Sequence, residues 1–424
     1  MTIHVAPTPT ALADRVHRLR SPGGIEAWLI EDHTLPILSM QFGFRGGPTL
    51  DAADRAGSAR MLADLLTEGA GPMDAGAFRR ALGDRAIRLS FSIWTDSLRG
   101  ELKTLAREAA AAFDLLGLAL RAPRLAPDDL VRVRSALESD ARAGLSRPDP
   151  VASRSFAARG FPVHPYGRPV GGDLDSLPRI SHGDLAALHE RMLTRANLRV
   201  GVVGAIGPEA LGIALDRAFA ELPGGAMAAT PLTGLQGLGE RVVTRLGLPQ
   251  STIRFGRPGI PRQDPDFAAA TVVNQCLGGD MSSRLFREVR EKRGLCYAMR
   301  TGLHVAEGAC TLVGMTATRN DRVGETLRVI EDELLRLSTD GLGQDEIDRA
   351  KGYLLGSSKL RLDSSSAIAA LLLALQLDGC GLDWLDTHNR RIAAVTPEDG
   401  RRAAARLLGD GRLLIAIAGD PVGS

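Results

Sequence analysis

The sequence predicts an α+β protein of two homologous domains, each a mainly antiparallel sheet with helices packed on one face, produced by an internal duplication. Three observations lead there: the length, the order of segments within each half, and a helix-start signature near the end of both halves. At 424 residues the chain exceeds what one hydrophobic core ordinarily supports. Hydrophobic residues make up 44% and charged residues 24%, the balance of a soluble globular protein. Aromatics are only 4%, so the cores are expected to be built from Leu, Ala, Val and Ile.

The halves open alike. Strand-like segments at 25–31 and 37–44 are followed by Gly46 and Gly47, an acidic turn with Asp51 and Asp54, and an apolar helix ending near Gly69. In the second half the segment 251–255 leads through a Gly/Pro turn ending at Pro261. Asp264 and Asp266 then precede an apolar helix ending at Gly278 and Gly279. Each is a strand, a polar turn with acids placed for N-capping, and a helix stopped by glycine. The halves also close alike. Ser181 with Asp184, and Thr396 with Asp399, place a hydroxyl and an acid three residues apart at a helix start, the spacing of a capping box. A strand follows each helix, at 198–204 and 413–419.

Helical periodicity is read at 98–120, 127–145, 321–337, 344–355 and 364–377. A further amphipathic helix is read at 280–293, with Met281, Leu285 and Val289 on one side and Gly294 at its end. Between the halves, 222–239 is rich in Gly, Ala, Thr and Pro without a clear apolar period and reads as a linker. The domains are therefore placed at 1–221 and 240–424.

Charge and cysteine usage exclude several functions. The 52 basic and 50 acidic residues are interspersed and leave a net charge of +2, no footprint for nucleic acid or an anionic membrane. Cys276, Cys296, Cys310 and Cys380 show no C-x-x-C spacing and read as reduced core thiols. No signal peptide is visible, and the longest apolar run, 367–375, is too short to span a bilayer. The expected location is the cytoplasm, or the periplasm if a leader was removed.

Several segments carry a family resemblance. Phe42-Gly43-Phe44-Arg45-Gly46-Gly47 with the helix from Gly57 to Gly69, His164-Pro165-Tyr166-Gly167, and the stretch from Gly278 through Arg290 to Tyr297 together resemble the pitrilysin/insulinase peptidases. The likeness runs from Ser21 to Asp420. In active members, the helix after the first strands carries H-x-x-E-H, two histidines that hold zinc and a Glu that takes a proton from the zinc-bound water. The matching positions here are Arg60, Ala63 and Asp64. Arg60 cannot shed its proton to become a ligand, and Ala63 offers no base. No two of the eight histidines (His4, His17, His33, His164, His182, His189, His304 and His388) are four apart. Asp128, Asp129 and Glu138 resemble a third ligand but read more simply as solvated helix charges. Neither metal nor other cofactor is expected in this chain. Arg60 and Asp64 read as an ion pair, and His164 as a structural histidine.

What the resemblance leaves is an Arg and a Tyr that, in the family, reach across a closed cavity to the scissile peptide; they match Arg290 and Tyr297. A fixed guanidinium and a phenol suit an oxyanion developing where water is excluded. Against this stands an ordinary reading, with Arg290 a solvated charge beside the i,i+4 pairs Glu288–Lys292 and Arg287–Glu291, and Tyr297 a core ring. Gly278 and Gly279 read either as a helix C-cap or, by the resemblance, as a close approach to bound peptide. Arg284 reads as structural.

The resemblance thus implies a pitrilysin-like domain with a degenerate zinc site at 1–221 and one carrying the Arg/Tyr pair at 240–424. It makes the chain a subunit of a heterodimeric zinc metalloendopeptidase, inactive alone. It would bind peptide and supply Arg290 and Tyr297 in trans to a homologous partner that bears H-x-x-E-H and the zinc. A small ribosomal precursor, such as that of pyrroloquinoline quinone, is a candidate substrate. Two other readings fit the same residues: a catalytically dead scaffold like the core proteins of respiratory complexes, and a homodimeric peptide-binding module.

Overall fold

The first half builds a six-stranded sheet and the second half a five-stranded one, with central strands Ile37–Arg45, Leu198–Gly204, Gln250–Pro258 and Leu414–Gly419 buried along most of their length. The computed structural model describes residues 12–360 and 362–422; His4 lies outside the described residues. The first half runs through β1 (His17–Arg20), β2 (Glu26–Glu31), β3 (Ile37–Arg45), α1 (Ser58–Leu65), a short hairpin of β4 (Gly69–Ala70) and β5 (Met73–Asp74), and α2 (Ala75–Gly83). It continues with β6 (Arg88–Trp94), β7 (Ser97–Leu105), α3 (Ala109–Arg121), α4 (Pro127–Gly144), α5 (Pro148–Gly160), α6 (His182–Met192), β8 (Leu198–Gly204) and α7 (Pro208–Phe219). The second half holds β9 (Arg241–Arg245), β10 (Gln250–Pro258), α8 (Phe267–Asn274), and two π-helical turns, Gln275–Gly279 and Phe286–Glu291. Then come β11 (Cys296–Val305), β12 (Cys310–Arg319), α9 (Val323–Asp340), α10 (Gln344–Leu360), α11 (Ser365–Leu377), α12 (Trp384–Ala394), α13 (Pro397–Leu408) and β13 (Leu414–Gly419).

The sheet orders are β1-β2-β8-β3-β7-β6 and β9-β13-β10-β12-β11. They superimpose strand for strand once β1 is set aside. In each, one pair near the edge is parallel (β2 with β8, β9 with β13) and the other pairs are antiparallel. The repeat extends to side chains. Phe42 faces Gly100 across β3 and β7, and Phe255 faces Gly314 across β10 and β12. A Cβ on Gly100 would lie 2.0 Å from Phe42 Cζ, and one on Gly314 2.2 Å from Phe255 Cζ. Each glycine is the seat of a ring. Both capping boxes are complete: Ser181 and Thr396 accept from the N–H groups of Asp184 and Asp399, whose carboxylates accept from the N–H groups of the caps.

Two local expectations are corrected. The helix read at 98–120 is strand β7 followed by α3. Leu98, Leu102 and Leu105 have helical spacing, but Leu98, Gly100, Leu102 and Thr104 are buried in alternation, which is a strand's period. The acids expected to cap the opening helices behave differently in the two halves. Asp51 accepts from the N–H groups of Gly57 and Ala59 at 2.9 Å and so caps α1, while Asp54 pairs with Arg55. Asp264 and Asp266 give no side-chain cap to α8; they hold Arg402 and Arg406 of α13, four residues apart on one face.

Each sheet carries its own half's helices on one face and receives a helix from the other half on the opposite face. Helix α5 rests on β10, β13 and β9, and α11 on β8 and β3. Glycine permits both seatings: a Cβ on Gly256 would meet the Phe156 ring at 2.8 Å, and one on Gly43 would meet Leu377 and Leu373 at 3.3 and 3.4 Å. The halves are further joined through polar groups. Asp96, in the β6–β7 turn, accepts from Tyr166 Oη at 2.7 Å and from the N–H of Glu307, in the β11–β12 turn, at 2.8 Å. Tyr166 Oη in turn accepts from Gly308 N–H at 2.8 Å, and burial raises its phenol pKa. Among the described residues, no helix is long and apolar enough to cross a membrane.

Candidate functional site

Helix α1 packs against β6, α4 and α6, and it carries Arg60, Ala63 and Asp64, the positions that the sequence resemblance matches to a zinc site. Arg60 Nε donates to both oxygens of Asp64, at 3.1 and 2.9 Å. Burial raises the Asp64 carboxyl pKa, the Arg60 guanidinium opposes the rise, and Asp140 on α4 adds to it. Ala63 is buried and carries no donor. A zinc ion does not fit this set: one position is a permanent cation, one has no ligand atom, and the third is already committed to the cation. Of the α4 acids, Asp129 pairs with Arg132. Among the described residues, no group of three or more His, Cys, Asp or Glu side chains is placed to hold a metal.

His164 is held structurally. Its Nδ1 accepts from Tyr166 N–H at 3.2 Å, which leaves Nε2 to donate to the Pro231 carbonyl at 2.9 Å. Arg284 grips Glu346 of α10 with two bonds, at 2.8 and 2.7 Å, and donates to the Gly341 carbonyl at 3.1 Å. That tie fixes the segment before the second π-helical turn.

This segment does not follow the amphipathic α-helix expected at 280–293. Leu285 and Val289 are buried, but Met281 is 70% exposed in the turn before the helix starts. The Phe286–Glu291 stretch is π-helical, a conformation that often marks functional sites. Lys292 pairs with Glu288 as expected; among the described residues Arg287 makes no ion pair with Glu291. Gly294, at φ +60°, turns the chain into β11. A bulge between Cys296 and Met299 then sets two residues, Tyr297 and Ala298, against one on β12. Thr318 and Thr316 stabilise it by donating to the Leu295 and Ala298 carbonyls, at 2.6 and 2.8 Å. Bulges of this kind re-aim side chains.

The result is an outward-facing pair. Tyr297 is 87% exposed, not a core ring. The Arg290 guanidinium carbon lies 5.4 Å from the Tyr297 ring centroid and 4.9 Å from that of Phe286, within cation–π range. Among the described residues, Arg290 forms no ion pair. The structure therefore brings Arg290 and Tyr297 together. It does not bring Gly278 and Gly279 to them. Gly278 is buried, and a Cβ there would meet Thr301 Oγ1 at 2.6 Å, so its small size serves contact with β11.

Beside Tyr297 opens a cleft of about 870 Å³, on the part of the second sheet nearest its β11 edge. Arg293, Arg300, Arg319 and Arg322 line it, with Asp149 of α5 as its one acidic residue. These arginines were not singled out from sequence. Arg300 lies on β11 and Arg319 on β12, with Arg293 just before β11 and Arg322 just after β12, so the pairing of the two strands brings the four together.

Residues 179–354 match the family described as peptidase M16 inactive domain. An uncharacterized zinc protease of Streptomyces coelicolor is 33% identical over 266 residues, 60% of this chain but only 57% of that protein. A protein named a non-peptidase homolog, from Helicobacter pylori, is 25% identical over 338 residues, 80% of this chain and 78% of that one. The crystal structure of a peptidase M16 inactive domain from Pseudomonas fluorescens superimposes with a TM-score of 0.89 at 25% identity, covering 96% of this chain and 98% of the other.

Proposed function

We propose, from the match of residues 179–354 to the peptidase M16 inactive-domain family, that this chain is the zinc-less subunit of a two-chain metallopeptidase. The two halves, divided at 222–239, form one side of a chamber. A homologous chain carrying H-x-x-E-H closes the other side and supplies the metal-activated water. This chain binds the peptide and contributes Arg290 and Tyr297. When water adds to the scissile amide, the carbonyl oxygen gains negative charge, and the guanidinium and the phenol O–H donate to it. The carbonyl of the ground-state peptide carries less charge, so these donors favour the transition state over the substrate.

The observation that carries this reading is the disposition of the pair: an exposed phenol, aimed by a bulge, stacked on a guanidinium without a carboxylate partner. Arg284, by contrast, is tied to Glu346. Strand β11 is also an edge strand of its sheet, where an extended peptide can add as a further strand held by backbone hydrogen bonds. A short ribosomal precursor peptide suits such an edge.

Mixing tests the proposal. The purified chain alone should leave a quenched peptide substrate intact. The H-x-x-E-H-bearing chain alone should cleave it slowly, and the two together should cleave it at least a hundredfold faster. Equal rates with and without this chain would end the reading.

A further inference from the structure

We propose that the cleft beside Tyr297 selects peptides that carry carboxylates on the flank lying over β11 and β12. This rests on the function proposed above and deepens it by naming a substrate class. Four arginines line the cleft, Arg293, Arg300, Arg319 and Arg322, against Asp149 alone. Three of them have a carboxylate partner: Arg293 with Glu288, Arg319 with Asp321 and Arg322 with Glu325. None of those partners lines the cleft. Arg300 has no ion pair among the described residues, and Asp149 already accepts from Thr252 Oγ1 at 3.0 Å. The side chains that line the cleft therefore set four guanidinium groups against one carboxylate, and Arg300 is the one of the four without an ion pair among the described residues, although the chain as a whole is nearly neutral at +2.

Geometry fixes where the charge acts. Tyr297 and Arg300 stand on the edge strand itself, so a peptide paired to β11 runs past the phenol and then over the arginines. Tyr297 and Ala298 together oppose one residue of β12, so at ~3.3 Å per strand position Arg300 and Tyr297 are about 7 Å apart along the strand, and the acidic residues should fall two to three positions from the scissile bond. Leu295, Ala298 and Met315 also line the cleft, which suits a peptide whose side chains alternate between a carboxylate and a small hydrophobe.

The test uses the full chain and two fluorescein-labelled extended peptides of equal length, one with Asp and Glu on one flank and one with Lys in their place. Fluorescence anisotropy should give at least tenfold tighter binding of the acidic peptide, the size expected of a few exposed charge pairs. The double variant Arg300→Glu with Arg319→Glu should reverse the preference. Arg107→Glu, a change at a distant exposed arginine, should leave it within about twofold, which separates a local field from net charge. Equal affinity for the two peptides, no measurable binding of the acidic one at 1 mM, or an equal loss in the Arg107→Glu chain would overturn the inference. So would a double variant that keeps its peptide preference but no longer assembles with the H-x-x-E-H chain, since the arginines would then serve the partner. Arg290→Ala keeps the two proposals apart: it should abolish turnover in the assembled pair while leaving the peptide preference unchanged.

Discussion

Gly314→Ala should destabilise the second half through a single ring. The new Cβ would lie 2.2, 2.5 and 2.8 Å from Cζ, Cε2 and Cε1 of Phe255, where carbon–carbon contacts normally sit at ~3.5–4.0 Å. The ring would have to retreat by more than about 1 Å, and it is almost fully buried in a close-packed core. Overpacking of this kind costs ~1–3 kcal/mol, and the shortness of three contacts points to the upper part of that range. Phe255→Leu removes the clashing atoms at its own cost of ~1–3 kcal/mol. In that background Gly314→Ala should be neutral or gain ~0.4–1 kcal/mol by restricting the unfolded chain. Urea denaturation followed by circular dichroism on the four chains of the cycle should therefore give a coupling of about 2 kcal/mol in favour of the double variant. Additivity within ~0.5 kcal/mol, or a Gly314→Ala chain as stable as the unmodified one, would refute the reasoning. The duplication makes Gly100 and Phe42 an internal repeat of the experiment, with the same sign expected.

Burial pushes the Asp51 carboxyl up to about 7, against the helix N–H groups that pull it down. The native chain then holds a proton that the unfolded chain releases between about 4 and 7, so this group's contribution is full at low pH and is lost as pH rises through that window. The loss approaches ~1.4 kcal/mol per pH unit, and thermal unfolding of Asp51→Asn between pH 5 and 8 should lack that slope. Removing either capping hydroxyl, Ser181→Ala or Thr396→Ala, should cost ~1 kcal/mol in urea denaturation; a loss below about 0.3 kcal/mol would mean the caps are redundant.

The duplicated ends were legible because a capping box is local: Ser181 with Asp184 and Thr396 with Asp399 need only three residues to declare a helix start. The same locality failed at Leu98, where leucines at helical spacing concealed a strand; Gly100, needed under Phe42, was the discriminating residue, and its meaning depends on a ring 58 positions earlier in the chain. Asp264 and Asp266 looked like caps because their true partners, Arg402 and Arg406, lie more than 130 residues away. The exchange of α5 and α11 between halves is tertiary and leaves no periodic trace. At the site, the seven-residue spacing of Arg290 and Tyr297 was readable, whereas the π-helical turn and the bulge that join them were not, since neither has a sequence period of its own. The arginine cleft escaped for the same reason as the acid–arginine pairs: it exists only once β11 and β12 are paired.

The most direct measurement is the turnover number of the assembled two-chain enzyme with Arg290→Ala in this subunit, read beside size-exclusion chromatography of the same sample. Losing one oxyanion donor typically costs ~2.7–4 kcal/mol, so kcat should fall by about a hundredfold to a thousandfold while KM and the complex persist. Unchanged kcat in an intact complex would contradict the account.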